Sequence, residues 1–185
     1  MVEQGPGRPE QRAAFLVGAV EHVLEHGLRG LSLRPLARRL GTSDRMLLYY
    51  FGTRAALVDA VLAEVTEGVL AALTGVLPGG RVEPPELLRA SWDLARQPAV
   101  TPGVRLYVEL LAAAAAGDDE LGPAARDVAD GWLRWAADRI DVPDADREAE
   151  AARLLVTLDG LLLLWLALGD DVAARAARGL GLAAP

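Results

Sequence analysis

Between Leu31 and Leu57 the chain reads LSLRPLARRLGTSDRMLLYYFGTRAAL, three helical signals with polar starts and tight breaks, spaced as a helix-turn-helix with a longer helix behind it. Ser32 is placed to accept a hydrogen bond from an orphan backbone N–H at the head of a helix running from Leu33 to Leu40. Pro35 falls in its first turn, where a missing N–H costs little. Gly41 stands where the chain must stop and reverse, a place that favours positive φ, and Thr42-Ser43 offers the next N-cap. The second helix, roughly Asp44 to Tyr50, is too short to be stable alone, so Leu47 and Phe51 must pack on neighbouring helices. Arg45, Met46, Tyr49 and Tyr50 then lie on or near its free side, a mix of guanidinium, thioether and phenol that suits base edges, thymine methyl groups and phosphates. Gly52-Thr53 breaks and recaps, and Arg54 enters the first turn of a third helix. A cation there opposes the helix dipole, which a phosphate at the same N-terminus would relieve.

Each of these residues also has a plainer role. Arg34, Arg38 and Arg39 could form an ordinary solvated helix face, Met46 could fill the core, and Tyr49 and Tyr50 could serve core and phosphate at once. Asp44 reads as a favourable charge at a helix start rather than a partner for cytosine. The charge distribution favours the nucleic-acid reading for one end only. Residues 1 to 54 hold eight arginines against five acids, net +3, and residues 55 to 185 hold eleven against twenty-one, net −10, which together give the −7 of the whole chain. Such a chain suits docking one face on a duplex, not coating nucleic acid indiscriminately. All nineteen basic residues other than histidine are arginine, which favours bidentate contacts but is better explained by a GC-rich genome, so little function is read from it.

With these residues in view, the pattern LxxLARRLGTSxxxLxYYFGTRAAL resembles the N-terminal DNA-binding domain of the TetR family of bacterial transcriptional regulators over residues 10 to 65. Leu36-Ala37, Leu40-Gly41, Thr42-Ser43, Leu47, Tyr49, Phe51, Thr53-Arg54 and Leu57 stand at the family's places. Two positions depart: Leu48 replaces the first of the usual tyrosine pair, which often touches a base, and Tyr50 replaces a histidine. Tyr49 keeps the place that contacts phosphate. The resemblance implies a DNA-binding set of Arg34, Thr42, Ser43, Arg45, Met46, Tyr49, Tyr50 and Arg54, with a palindromic operator as partner.

The rest of the chain also reads as helical, without alternating strand patterns. A first helix from about Pro9 to Glu25 places Leu16, Ala19, Val20 and Val23 on one face and is closed by Gly27. Leu57, Val61, Val65, Val69 and Leu73 recur every fourth residue, predicting a helix that links two domains, 1–55 and 56–185. Breaks at Pro78–Pro85 and Gln97–Gly103 separate helices near Glu86 to Arg96 and Val104 to Ala116, with further helices from Pro123 to Ile140, from Asp144 to Leu168 and from Asp171 to Arg178. The fold class expected is all-α, a three-helix reader followed by a helical bundle for ligand binding and dimerisation.

The helix from Asp144 to Leu168 carries apolar residues nearly all round. Leu154, Leu158, Leu161, Trp165 and Leu168 follow alternating four and three spacing, and Leu155, Leu162, Leu163 and Leu166 add further apolar faces. One core cannot use all of that surface, so a homodimer interface is expected on this helix and the last one, with the Leu154 to Leu168 stripe as its contact. The family's dimers, built from two such helices per chain, imply the same, and would match two recognition helices spaced near one DNA turn. For an effector, Trp92, Tyr107, Trp132, Trp135 and Trp165 with Ser91, Arg105, Glu109 and Thr157 are compatible with an apolar pocket carrying few orienting groups. Trp92, Tyr107, Glu109, Trp132 and Thr157 are the expected lining. The resemblance implies that an unknown apolar small molecule binds there, shifts the Leu57 to Leu73 helix and lowers DNA affinity.

Other classes find less support. The chain has no cysteine, which excludes thiolate metal sites and disulfides and fits a reducing cytoplasm. The N-terminal MVEQGPGRPEQR lacks the apolar core of a signal peptide and reads as a loose arm whose Arg8 and Arg12 could reach phosphate or a minor groove. The apolar run Leu154 to Leu168 is shorter than a membrane span, carries Asp159 and reads as a buried helix. His22 and His26 have i, i+4 spacing but no third ligand in sight, and no nucleophile motif or glycine-rich phosphate loop is present. The expectation is a cytoplasmic one-component regulator, a repressor on the family's pattern, with neither catalytic site nor cofactor. A helical ligand-binding or adaptor protein that has lost DNA reading is the alternative, because of Leu48 and Asp44.

Overall fold

The computed structural model describes residues 7–28 and 31–182. Among them the regular structure is helical, apart from an isolated parallel bridge between Val82 and Ile140. The chain forms two compact units that divide between Thr66 and Glu67. Residues 1–6 of the expected arm lie outside the described residues.

The first unit contains α1 (Arg8–His26), α2 (Leu33–Arg39), α3 (Asp44–Phe51) and the opening turns of α4 (Arg54–Val76). Its core is Phe15, Ala19 and Val23 of α1, Leu36 and Ala37 of α2, Leu47 and Phe51 of α3, and Leu57, Val58, Val61 and Leu62 of α4, all buried. Of the first helix's expected face, Ala19 and Val23 are in that core. Leu28 and Leu31, in the connection between α1 and α2, complete it. The three-residue and four-residue spacings of these positions explain the packing: each short helix turns one stripe inward, and none could hold its shape without the others.

Two details of the turns differ in kind. Ser32 has the extended backbone of an N-cap but makes no side-chain cap bond, contrary to the sequence expectation, so α2 starts without that hydroxyl. Ser43 does cap α3, its Oγ accepting from the Met46 N–H at 3.3 Å. Gly41 has φ +64, as the reversal after α2 requires. Gly52 lies at φ 83, ψ −70, a region strained for any residue with a Cβ. Gly52→Ala is therefore expected to lower the unfolding free energy by about 1–2 kcal/mol, read by urea denaturation. A variant as stable as the parent would show that the α3–α4 turn adapts freely.

The second unit contains the rest of α4, then α5 (Pro84–Ala95), α6 (Thr101–Ala115), α7 (Leu121–Arg139), a 3-10 turn (Asp144–Asp146), α8 (Arg147–Leu168) and α9 (Asp170–Gly179). Helices α5, α6, α7 and α9 all pack on α8, around a core that includes Trp92, Val104, Ile140, Leu154, Leu161, Leu162, Ala173 and Ala177. Backbone bonds from Val82 N–H to the Arg139 carbonyl and from Asp141 N–H to the Val82 carbonyl, both 2.8 Å, tie the loop before α5 to the end of α7.

Helix α8 is where the structure corrects the sequence most. The run Leu154 to Leu168 was expected to be buried, with its Leu154, Leu158, Leu161, Trp165, Leu168 stripe facing a second chain. Instead that stripe turns into its own unit. Leu154 and Leu161 are buried in the core, Leu158 and Trp165 pack against it partly buried, and the Trp165 indole N–H donates to Asp170 Oδ1 at 2.9 Å. Of the five only Leu168 is exposed. The opposite side of the same helix carries the unpartnered apolar surface, with Val156 72%, Leu163 54% and Leu164 37% exposed. A helix apolar on every side must choose one side for its own core, and periodicity alone does not say which. By length and composition Asp144–Leu168 could also cross a bilayer, with a mean hydropathy of 1.9 over its best 18 residues. The four helices packed on it make it the central member of a bundle.

Candidate nucleic-acid interface and internal cavity

Because Leu47 and Phe51 are one helical turn apart and both buried, the remaining surface of α3 points away from the first unit's core. Arg45, Met46, Leu48 and Tyr49 are all exposed there, Met46 by 39%, Leu48 by 37% and Tyr49 by 55%. This outward set joins a fork of donors, a phenol and two apolar side chains. It is the chemistry of a surface that meets base edges and backbone phosphates. Leu48 is thus exposed beside Arg45, and its apolar end is suited to a thymine methyl group.

The neighbouring charges are arranged around that face. Arg34, at the start of α2, is 88% exposed in its side chain and lies 3.9 Å from Asp44 Oδ2. The Arg8 guanidinium sits 4.6 Å from the centre of the Tyr49 ring, and that of Arg12 sits 4.9 Å from the Phe51 ring. Both arginines belong to α1, not to a loose arm, so the expectation for them is corrected: Pro9 occupies the first turn, and the helix begins at Arg8. Tyr50 turns inward, edge-on to Phe15 with centroids 5.3 Å apart, and meets Tyr49 at 5.2 Å. Thr42 is partly buried and Ser43 is the cap of α3. Arg54 is partly buried and donates from Nε to the Leu31 carbonyl at 3.2 Å, bracing the chain ahead of α2. Arg39 is held by Glu25, its Nη1 2.6 Å from Oε2, and keeps that carboxyl below its usual range. Arg45 and Tyr49 thus stand outermost, and Ser43, Tyr50 and Arg54 also build the unit they sit in.

In the second unit, α4, α5, α6, α7 and α8 surround a cavity of about 100 Å³. Tyr107 and Trp132, expected to line it, do so. Trp92, Glu109 and Thr157 do not. Trp92 is 3% exposed and belongs to the core, edge-on to Trp165 and under the Arg96 guanidinium at 5.3 Å. Thr157 spends its hydroxyl on the Arg153 carbonyl at 2.7 Å, a bond back along its own helix. The lining also includes Val69, Leu73, Ser91, Trp135, Leu155 and Asp159.

Asp159 is the group that sequence reasoning missed as a site residue, although a lone acid inside an apolar run was the available signal. Tyr107 donates its hydroxyl to Asp159 Oδ2 at 3.2 Å, whereas the buried Oδ1 has no partner. Burial pushes the carboxyl up to about 6, against which the Tyr107 bond pulls down. Burial, and then the carboxylate beside it, raise the Tyr107 phenol. The folded protein thus keeps the Asp159 proton up to about 6, while an unfolded chain releases it near 3.8. Ionised Asp159 costs stability that is absent below the unfolded value and fully present above the folded one. Asp159→Asn is expected to be about 1–2 kcal/mol more stable than the parent at pH 7.5, after allowance for its partial exposure, with a smaller gap at pH 5. Urea denaturation at both pH values checks this, and a gap that widens on acidification would contradict it.

Among the described residues no group of three or more His, Cys, Asp or Glu side chains could hold a metal ion. His22 and His26 stack on each other with centroids 4.5 Å apart.

Residues 15–61 match the family model for bacterial regulatory proteins of the tetR family. A TetR-family transcriptional regulator from Cytophaga hutchinsonii is 16% identical with a TM-score of 0.74, over 97% of this chain and 96% of that one. The multidrug binding protein EbrR, solved with proflavin, is 27% identical with a TM-score of 0.68, over 94% of this chain and 100% of that one. A Saccharomonospora viridis protein solved with choline is 17% identical with a TM-score of 0.69, over 94% of each chain. No curated protein sequence matches the chain. The fold is TetR-like, a helix-turn-helix domain followed by a helical domain.

Proposed function

We propose that this chain, whose residues 15–61 match the tetR family model and whose fold is TetR-like, is a dimeric, sequence-specific DNA-binding regulator that answers to a small molecule. The observation that carries the reading is the outward face of α3, where Arg45, Met46, Leu48 and Tyr49 stand exposed over a buried Leu47 and Phe51. Arg45 reads base edges, Met46 and Leu48 meet thymine methyls, and Tyr49 and Arg34 contact phosphate. Thr42, Ser43, Tyr50 and Arg54 set the register of α3, with Arg54 also offering charge to the backbone.

The first unit is assigned as the reader and the second as the sensing and dimerising domain, with α4 passing from one to the other. Val69 and Leu73 of α4 line the cavity, so a guest that favours one position of this helix shifts the reader between two states by its differential affinity. Solved relatives that hold proflavin and choline support a small-molecule site in a fold of this kind. The dimer contact is placed on the exposed α8 side, Val156, Leu163, Leu164 and Leu168, extended by α9. On the family's pattern the protein is a cytoplasmic repressor that leaves a palindromic operator when the cavity fills, and no catalytic step is assigned to it.

The test is selection of sheared genomic fragments by the purified protein. Enrichment of a few sites sharing an inverted repeat with half-sites about one DNA turn apart is the expected result. Recovery without any shared sequence would overturn specific reading and favour an adaptor that has lost it.

A further inference from the structure

The cavity of the second unit is apolar except at one place. Asp159 stands on α8 beside Leu155, Leu158 and Leu162, all of them lining residues, and it is the one charged side chain in the lining, which contains no arginine, lysine or histidine. Its Oδ2 takes the Tyr107 hydroxyl at 3.2 Å and its buried Oδ1 takes nothing. A carboxylate can accept about four hydrogen bonds, so this one has given up most of its water for a single phenol. The raised value of about 6 reflects that loss, yet the group is still mainly ionised at neutral pH. Uncompensated charge in an apolar enclosure is costly, and a unit that keeps it holds an unmet demand for positive charge.

The other lining groups suit one kind of cation. Trp132 and Trp135 line the same cavity with ring centroids 6.2 Å apart and planes at 86°, and Tyr107 adds a third aromatic ring. Ring faces carry negative potential and attract cations that shed water easily. A hard metal ion would find one carboxylate and little other oxygen. An anion would meet Asp159 directly, and a neutral apolar guest would leave the carboxylate more desolvated than before.

We infer that this cavity selects a lipophilic organic monocation, such as a quaternary ammonium or a delocalised aromatic cation, with Asp159 as its counter-ion and Trp132, Trp135 and Tyr107 as its aromatic walls. The inference rests on the reading of the cavity as the effector site and names the charge class of the effector. Asp159→Asn keeps the side-chain shape and an acceptor for Tyr107 while removing the charge.

The experiment is titration of the purified parent and the Asp159→Asn variant by tryptophan fluorescence, confirmed by calorimetry, with benzyltrimethylammonium and its neutral carbon isostere neopentylbenzene. The parent is expected to bind the cation at least about tenfold more tightly than the isostere, and Asp159→Asn to lose that preference. Equal affinity of the two compounds for the parent, or an unchanged preference in the variant, would overturn the cation assignment and leave the cavity a ligand site. No saturable binding of either compound would overturn the effector-site reading together with it.

Discussion

Leu163→Arg is expected to convert the protein from dimer to monomer in sedimentation equilibrium, with helix content unchanged, and to weaken binding to a palindromic duplex by about 100-fold or more. Leu163 is 54% exposed on the α8 side opposite the core, next to Leu164 and two helical turns from Val156, so an arginine there disturbs nothing within its own chain. Across a two-fold interface the same substitution enters twice, placing two like charges in an apolar contact. Losing the dimer removes the linkage that makes the second half-site an intramolecular event, which is worth about 10²–10⁴ in affinity. Leu161→Ala provides the contrast. Leu161 is 3% exposed in the core of the second unit, so its truncation should cost about 2–5 kcal/mol of stability by leaving a cavity, with association unaffected while the protein stays folded. A dimer that survives Leu163→Arg would place the interface on another surface.

The second large effect belongs to the outward face of α3. Arg45→Ala is expected to cost about 1–3 kcal/mol on the preferred sequence and much less on a duplex altered at the base pairs Arg45 reads, because a bidentate contact discriminates between bases. Tyr49→Ala, which removes a side chain 55% exposed beside the Arg8 guanidinium, should weaken all sequences about equally. Arg54→Ala should also weaken all sequences and reduce the salt dependence by about one counterion. It should lower the stability of the first unit as well, since its Nε bond to the Leu31 carbonyl is lost. Competition anisotropy with single-base-pair variants of the duplex separates these patterns. Three variants that all behaved like the parent would remove α3 from the interface.

What was legible in the sequence follows from which signals are local. The turns of the first unit were readable because Gly41, Ser43 and Gly52 act on their own neighbours, and the structure has Gly41 and Gly52 at positive φ and Ser43 at the head of α3. The prolines mislead: in the sequence Pro84, Pro85, Pro102 and Pro123 look like breaks or starts, but they lie within the first turns of α5, α6 and α7, whose helices begin two or three residues earlier than expected. A proline in a first turn lacks only an N–H that has no helical partner anyway. The inward side of α8 was not legible because both of its sides are apolar, and the choice depends on α5, α6, α7 and α9, which are distant in sequence. The same distance hid the cavity's charge. Asp159 meets Tyr107 across 52 positions, and only packing turns a lone acid in an apolar run into a buried acceptor with one bond.

Sequence-specific DNA binding by the first unit, as proposed, is tested by fluorescence anisotropy of the protein on a labelled duplex from upstream of its own gene, with a scrambled duplex as control, across a range of salt concentrations. Salt-sensitive binding that prefers the native duplex by a factor of about 10³ or more is the expected result. Equal binding to both duplexes at every salt concentration, or binding to neither, would contradict it.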